Sequence, residues 1–160
     1  MFVVLAHDRR RILSVNVTTS PSAAWTANQI VQAVPWEGAP RYLLRDRDGI
    51  YGTRFRSRVQ NLGIQEVIIA RRSPWQTLCV EREIGTLRRE LVDHTIVMNE
   101  RPLRRLLRRY VTEYYHPCRT HLSLGKDAPE PRAAEPPERG RVVELPVVGG
   151  LHHRYTQRAA

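Results

Sequence analysis

The chain has 160 residues, 41% of them hydrophobic, with 26 Lys+Arg against 16 Asp+Glu and a net charge of +10. That is the size of one domain able to bury a core, and no apolar run approaches the roughly 20 residues that a membrane-spanning helix needs. Lys126 is the one lysine among the basic residues, a balance that favours a polyanionic partner and planar recognition of phosphate, although an arginine-rich coding bias would give the same composition.

In chain order, Phe2 to Ala6 and Ile12 to Val17 read as the two strands of a hairpin turning over His7 to Arg11. The apolar run at residue 2 has no leading turn or cap, so it is expected to need a neighbour for its backbone groups. As the plain alternative to a polyanion-binding role, Arg9, Arg10 and Arg11 fit a solvated hairpin turn. Ser20-Pro21 supplies a helix cap and an N1 proline, Ala27, Ile30, Val31 and Val34 give the buried stripe, and Pro35 stops the helix. Trp25 and Trp36 are expected to pack rather than to stack on bases.

Arg41 to Asp46 then reads as a strand, Arg47-Asp48-Gly49 as a turn, Phe55 to Leu62 as a helix stopped by Gly63, and Glu66 to Ala70 as a further strand. Together they make one α/β unit that returns the chain toward its starting edge. A helix opens after Ser73-Pro74-Trp75, with Val80, Ile84, Leu87 and Leu91 at steps of four, three and four. Asn99, Glu100 and Pro102 open another, whose Leu103, Leu106, Leu107, Tyr110, Val111 and Tyr114 form a core stripe. Arg101, Arg104, Arg105, Arg108 and Arg109 cover its other side, either as a solvated face or as a surface that tracks phosphates. Residues 125–140, with Pro129, Pro131, Pro136 and Pro137 among alternating charges, predict an extended linker that buries little, and residues 141–160 a terminal extension with a small hairpin.

The chemistry is expected at Asp46 and Glu81, 35 positions apart. The first closes a strand and the second lies on a helix, and the α/β unit between them can bring them together. Two carboxylates so presented can share a divalent metal, because hard cations take oxygen ligands. Asp48 is the alternative to Asp46, but it is the turn residue before Gly49. Glu81 lies beside its helix's apolar stripe, Gly85 leaves room for close approach, and Arg88 shares the face. From spacing alone that face reads as an exposed Glu81–Arg88 pair of little energetic value. His116, Cys118 and His121 offer soft ligands, but no second Cys/His pair lies at a structural-zinc spacing. Cys79, near Glu81, has no base placed beside it and is expected to be a small packing side chain. Two cysteines and no secretory leader argue against a disulfide scaffold and for a reducing cytoplasm.

Leu44-Arg45-Asp46-Arg47-Asp48-Gly49-Ile50-Tyr51-Gly52, Leu62-Gly63-Ile64, Ser73-Pro74-Trp75-Gln76, Val80-Glu81-Arg82, Gly85 to Glu90 and Tyr115 to Leu124 follow one another at spacings that resemble the DDE integrase/transposase catalytic core of bacterial insertion sequences, itself similar to retroviral integrases. The resemblance runs over nearly the whole chain. It implies an α/β fold with a ribonuclease-H-like mixed sheet flanked by helices, in which two Asp and one Glu hold two Mg2+ or Mn2+ ions for attack by water, and then by a 3′ hydroxyl, on DNA phosphodiesters. Asp46 would be the second acid and Glu81 the third. Arg47, Arg71, Arg72, Gln76, Arg82, Arg88 and Arg89 would be DNA-binding.

In the family the first acid lies on a central strand upstream of the hairpin, so that strand is expected to be missing here through N-terminal truncation; Asp8, in the hairpin turn, is not assigned its role. The chain also departs from the family pattern at Thr77 and Leu78, beside the metal site. Residues 1–124 are therefore read as a partial core, 125–140 as linker and 141–160 as extension. The implied partners are DNA, as transposon ends and target, and further copies of the chain, with no membrane. The implied setting is the bacterial cytoplasm, nucleoid-associated when bound to DNA. The expected activity is metal-dependent strand cleavage and transfer, impaired by the absent first Asp. Two alternatives stand beside it, a non-catalytic basic DNA-binding remnant or regulator of a full-length transposase, and a nuclease acting on RNA/DNA hybrids.

Overall fold

A computed structural model describes residues 1–35 and 38–159. The opening apolar run forms β1 (Phe2–Leu5), antiparallel to β2 (Ile12–Asn16). Successive strand side chains face opposite ways, so this hairpin serves two cores: Phe2 and Val4 join one, Val3 and Leu5 the other. Its turn is not a solvated arginine loop. Arg9 and Arg10 take left-handed backbone, with φ of 46° and 56°. Arg9 pairs with Asp127 at 2.5 Å and donates to the carbonyls of Ala128 and Pro129, while Arg10 pairs with Glu83, which is 1% exposed.

The first helix, α1 (Ala23–Ala33), is capped by Ser22, whose Oγ accepts from the Trp25 N–H at 3.2 Å, so the start lies two residues beyond the expected Ser20 cap. Trp25 packs edge-on against Phe2, with ring centroids 5.7 Å apart; the expectation for Trp36 falls outside the described residues. Ala27, Ile30 and Ala33 are buried with Thr26 and Gln29, whereas Val31 is 37% exposed. The polar pair is accommodated because Thr26 Oγ1 donates to the Ile50 carbonyl and Gln29 Oε1 accepts from Asn16 Nδ2.

The predicted α/β unit is present. β3 (Tyr42–Arg45) and β4 (Gln65–Ile68) pair in parallel, and α2 (Thr53–Asn61) makes the crossover that parallel pairing requires. Phe55 and Val59 of α2, both 0% exposed, meet Ala27 and Ile30 of α1, and Phe2, Val4 and Leu43 pack on that same cluster. Both strand pairs thus rest on one helical layer. Among the described residues they remain separate two-stranded sheets, and β5 (Arg141–Val147) with β6 (His152–Arg158) makes a third, antiparallel pair. The architecture is mixed α/β.

On the other side of the hairpin lie α3 (Leu78–Glu90) and α4 (Glu100–Arg109), the latter continuing as a wider π-wound stretch over Tyr110–Tyr115. Asn99 caps α4 as predicted, its Oδ1 accepting from the Arg101 N–H at 3.1 Å. Ile12, Val15, Leu87, Leu91, Leu107, Tyr110 and Tyr115 form the second core. On α3 the buried positions are Glu83, Thr86 and Leu87, while Val80 and Ile84 are only half-buried, so the buried face of this helix includes an acid. The proline-rich segment also buries more than predicted: Ala128 and Pro129 are buried, and the Glu130 N–H donates to the His116 carbonyl. Among the described residues no helix is long and apolar enough to cross a membrane.

These burials predict the ranking of two substitutions. Phe55→Ala should destabilise the fold by about 3–5 kcal/mol through transfer and cavity terms, whereas Val31→Ala, on the exposed side of α1, should stay within about 0.5 kcal/mol of the parent. Urea unfolding followed by far-UV circular dichroism checks both, and the reverse order would restore the stripe expected from sequence.

Candidate active site

In a parallel strand pair both carboxyl ends face the same way, the usual location of ligand sites in α/β folds. Arg45 at the end of β3 is in register with Ile68 at the end of β4. Asp46 follows the first directly. The chain leaving the second reaches α3 through residues 69–77, a single 3-10 turn (Pro74–Thr77) immediately preceding the helix.

Asp46 is exposed, and its Oδ1 accepts from the Asp48 N–H at 3.0 Å. Asp48 repeats the motif two residues on, its Oδ1 accepting from the Ile50 N–H at 3.0 Å, so both acids brace the turn. Burial, together with these two negative charges, pushes the Tyr51 hydroxyl up to about 12. Below Asp46 lies a fixed base. Arg45, 6% exposed, pairs with Glu66 at 2.5 Å, donates from Nη1 to the Asp46 carbonyl at 2.8 Å, and sits 5.0 Å from the Tyr51 ring centroid.

Glu81 occupies the first turn of α3, where the helix dipole favours a carboxylate. The Thr77 hydroxyl donates to its Oε1 at 2.6 Å, so the residue just before α3 directly engages the acid. Gln76 Oε1 accepts from the Ala70 N–H at 2.9 Å and ties the two ends of the intervening loop together. Gly85 makes room for a neighbour on its own helix, since a Cβ there would lie 3.1 Å from Nη1 of Arg89. Arg47, Arg71, Arg72, Arg82, Arg88 and Arg89 are all exposed. No hydrogen bond or ion pair joins Asp46 to Glu81, or Glu81 to Arg88, among the described residues, and no group of three or more His, Cys, Asp or Glu is gathered there to hold a metal. Cys79 is exposed rather than packed.

Sequence reasoning missed the polar clamp that holds α3. Arg119 grips Glu90 from two sides, Nη2 to Oε1 at 2.7 Å and Nε to Oε2 at 2.9 Å, while the Tyr110 hydroxyl donates to Oε2 at 2.5 Å. His152 Nε2 meets the Glu90 carbonyl at 2.8 Å, and its ring stacks on Tyr114 with centroids 4.1 Å apart. Seven residues earlier on α3, Glu83 holds Arg10, and the Tyr115 hydroxyl donates to the Arg10 carbonyl at 3.0 Å. His116, read above as a candidate soft ligand, accepts from the Ile12 N–H through Nε2 at 3.1 Å. The signal available was the Tyr115 to Leu124 motif itself, whose Arg119 and His121 turn out to serve this clamp.

Burial opposes the charge on Glu90, yet the hydrogen bonds from Arg119 and Tyr110 hold its carboxyl below the usual range. Burial and then the adjacent Arg119 guanidinium push His121 down to about 4. Between the unfolded value near 6.5 and that figure, the unfolded chain binds a proton that the folded one refuses, so stability falls as pH falls. About 1.5 kcal/mol should be lost through His121 between pH 6.5 and pH 5. His121→Gln should flatten that part of the profile, as read from urea midpoints at the two pH values; an unchanged difference would remove His121 from the account.

Comparison with family models matches residues 62–129 to the Integrase core domain. The matched stretch begins at the end of α2, includes Glu81 and all of α3, and closes beyond Arg119 and His121; Asp46 precedes it. No curated protein and no solved structure matches the chain. Residues 62–129, with Glu81 on the helix held by Glu83 and Glu90, are a DDE integrase/transposase catalytic-core-like region, which points to transposase/integrase-type function.

Proposed function

We propose that the chain acts on DNA as the core of a transposase/integrase, with Asp46 and Glu81 as ligands of a divalent cation, Mg2+ or Mn2+, and residues 1–124 as the working unit. One observation carries the reading: the helix bearing Glu81 lies inside the integrase-core match, and the parallel pair leading to it has Asp46 at its carboxyl end. The β3–α2–β4 unit and the β1–β2 hairpin, both resting on α1 and α2, support a ribonuclease-H-like arrangement.

The donor chemistry fits a hard cation, since both carboxylates belong to exposed residues and each has one oxygen in a local hydrogen bond. Two carboxylates suffice for one Mg2+, which keeps several waters, whereas a pair of ions calls for a third acid. When bound, the cation supplies positive charge against the oxygens of the scissile phosphodiester. The chain's own residues do the rest. Arg45 and its Glu66 partner hold the strand end that presents Asp46, Thr77 orients Glu81, and the exposed arginines 47, 71, 72, 82, 88 and 89, with Gln76 fixing the loop, receive the phosphate backbone. With two acids, strand cleavage and transfer are weak while duplex binding is retained.

Mn2+ titration followed by electron paramagnetic resonance should reveal one site per chain, weakened tenfold or more by Asp46→Asn and by Glu81→Gln. Mn2+ binding identical in the parent and both variants would overturn the metal assignment. Mg2+-dependent nicking of a labelled duplex should be slow and lost in both variants. Salt-dependent duplex binding with no Mn2+ site at all would leave the non-catalytic, DNA-binding reading in its place.

A further inference from the structure

The arginines of α4 divide into two sets that their spacing alone does not separate. The helix and its wider continuation carry two acids, and both are engaged by their own arginines. Glu100 holds Arg104 one turn on and accepts from Thr19, while Glu113 holds Arg109 at 2.7 Å and accepts from the Val148 N–H. Arg104 is further occupied by the Val17 carbonyl. That leaves Arg101, Arg105 and Arg108, all exposed, whose guanidinium groups make no hydrogen bond or ion pair among the described residues.

At steps of four and three these three residues lie within one narrow stripe. It is opposite the side on which Leu107, Tyr110 and Val111 enter the core. The next position of the stripe, Thr112, is also exposed and brings no acid. Nothing in the fold favours this arrangement. Like charges one turn apart repel, and Arg101, in the first turn, stands at the positive end of the helix dipole where a carboxylate would be favoured. A face that is electrostatically unfavourable by itself, and is stripped of counter-charges by the neighbouring pairs, is satisfied by an external polyanion.

We infer that the outer face of α4, through Arg101, Arg105 and Arg108, is a second nucleic-acid surface that binds the phosphate backbone of duplex DNA, additional to the arginines beside Asp46 and Glu81. It rests on the proposal that the chain acts on DNA. Seven residues of helix rise about 10 Å, enough for three guanidinium groups to meet successive phosphates along one strand. The contact reads no sequence, because phosphates are the same at every step. Its role is to hold a length of duplex against the protein.

The test is fluorescence anisotropy of a labelled 30-base-pair duplex of arbitrary sequence, with affinity measured from low to moderate salt. The parent is compared with Arg101→Gln/Arg105→Gln/Arg108→Gln, with the same three positions changed to Lys, and with Arg88→Gln/Arg89→Gln. Loss of three phosphate contacts should reduce the slope of log affinity against log salt by about 2 to 3 and weaken binding more than tenfold at moderate salt. The lysine variant should keep most of the slope, which separates charge from folding. A triple glutamine variant with the parent's slope, while Arg88→Gln/Arg89→Gln loses affinity, overturns this inference and leaves the DNA reading standing. A parent that shows no salt-dependent duplex binding overturns both. Retention on phosphatidylglycerol vesicles that depends on these three arginines, without any effect on the duplex, overturns the inference alone and assigns the face to a membrane surface.

Discussion

The bidentate contact between Arg119 and Glu90 is the constraint on which the placement of α3 depends. Glu90 ends that helix, and through one residue it fixes the Tyr110 hydroxyl, the segment carrying Arg119 and His121, and the β5–β6 hairpin by way of His152. Charged hydrogen bonds of this kind are directional as well as strong. With Glu83 held by Arg10 nearer the other end, α3 is pinned at two points on the same side. Its first turn and the exposed Glu81 are thereby aimed away from the core.

This accounts for the unusual composition of the interior. A helix packed only through apolar contacts can rotate or slide by a fraction of a turn at modest cost, because hydrophobic contact is not directional. The buried Glu83 and the partly buried Glu90, each with a specific guanidinium from a distant part of the chain, remove that freedom, since leaving such an ion unpaired is costlier than losing a methylene contact. The arginines consequently fall into two groups. Arg9, Arg10, Arg45 and Arg119 are structural, whereas Arg101, Arg105 and Arg108 are exposed and have no such partner among the described residues.

Much of the local structure could be read from residue pattern. The β3–α2–β4 unit, the Asn99 cap and the terminal hairpin follow from periodicities and turn residues that act over a few positions. Errors arose wherever a partner lay far along the chain. Arg9 and Arg10 look like a solvated turn until Asp127 and Glu83, more than seventy positions away, are brought to them. Residues 127–129 look like linker until the same turn closes over them. The face of α1 is rotated from the apolar expectation because Asn16 and Ile50 supply hydrogen bonds that make Gln29 and Thr26 inexpensive to bury.

For the candidate site the division is similar. The amino-acid order alone determined that Asp46 ends a strand and Glu81 opens a helix, because turn chemistry and capping are properties of neighbouring residues. It also carried the match of residues 62–129 to the Integrase core domain. Only the folded chain decided which charges are spent on structure and which remain available. An arginine and a carboxylate neutralise one another by distance in space, and that distance is set by packing rather than by position along the polypeptide.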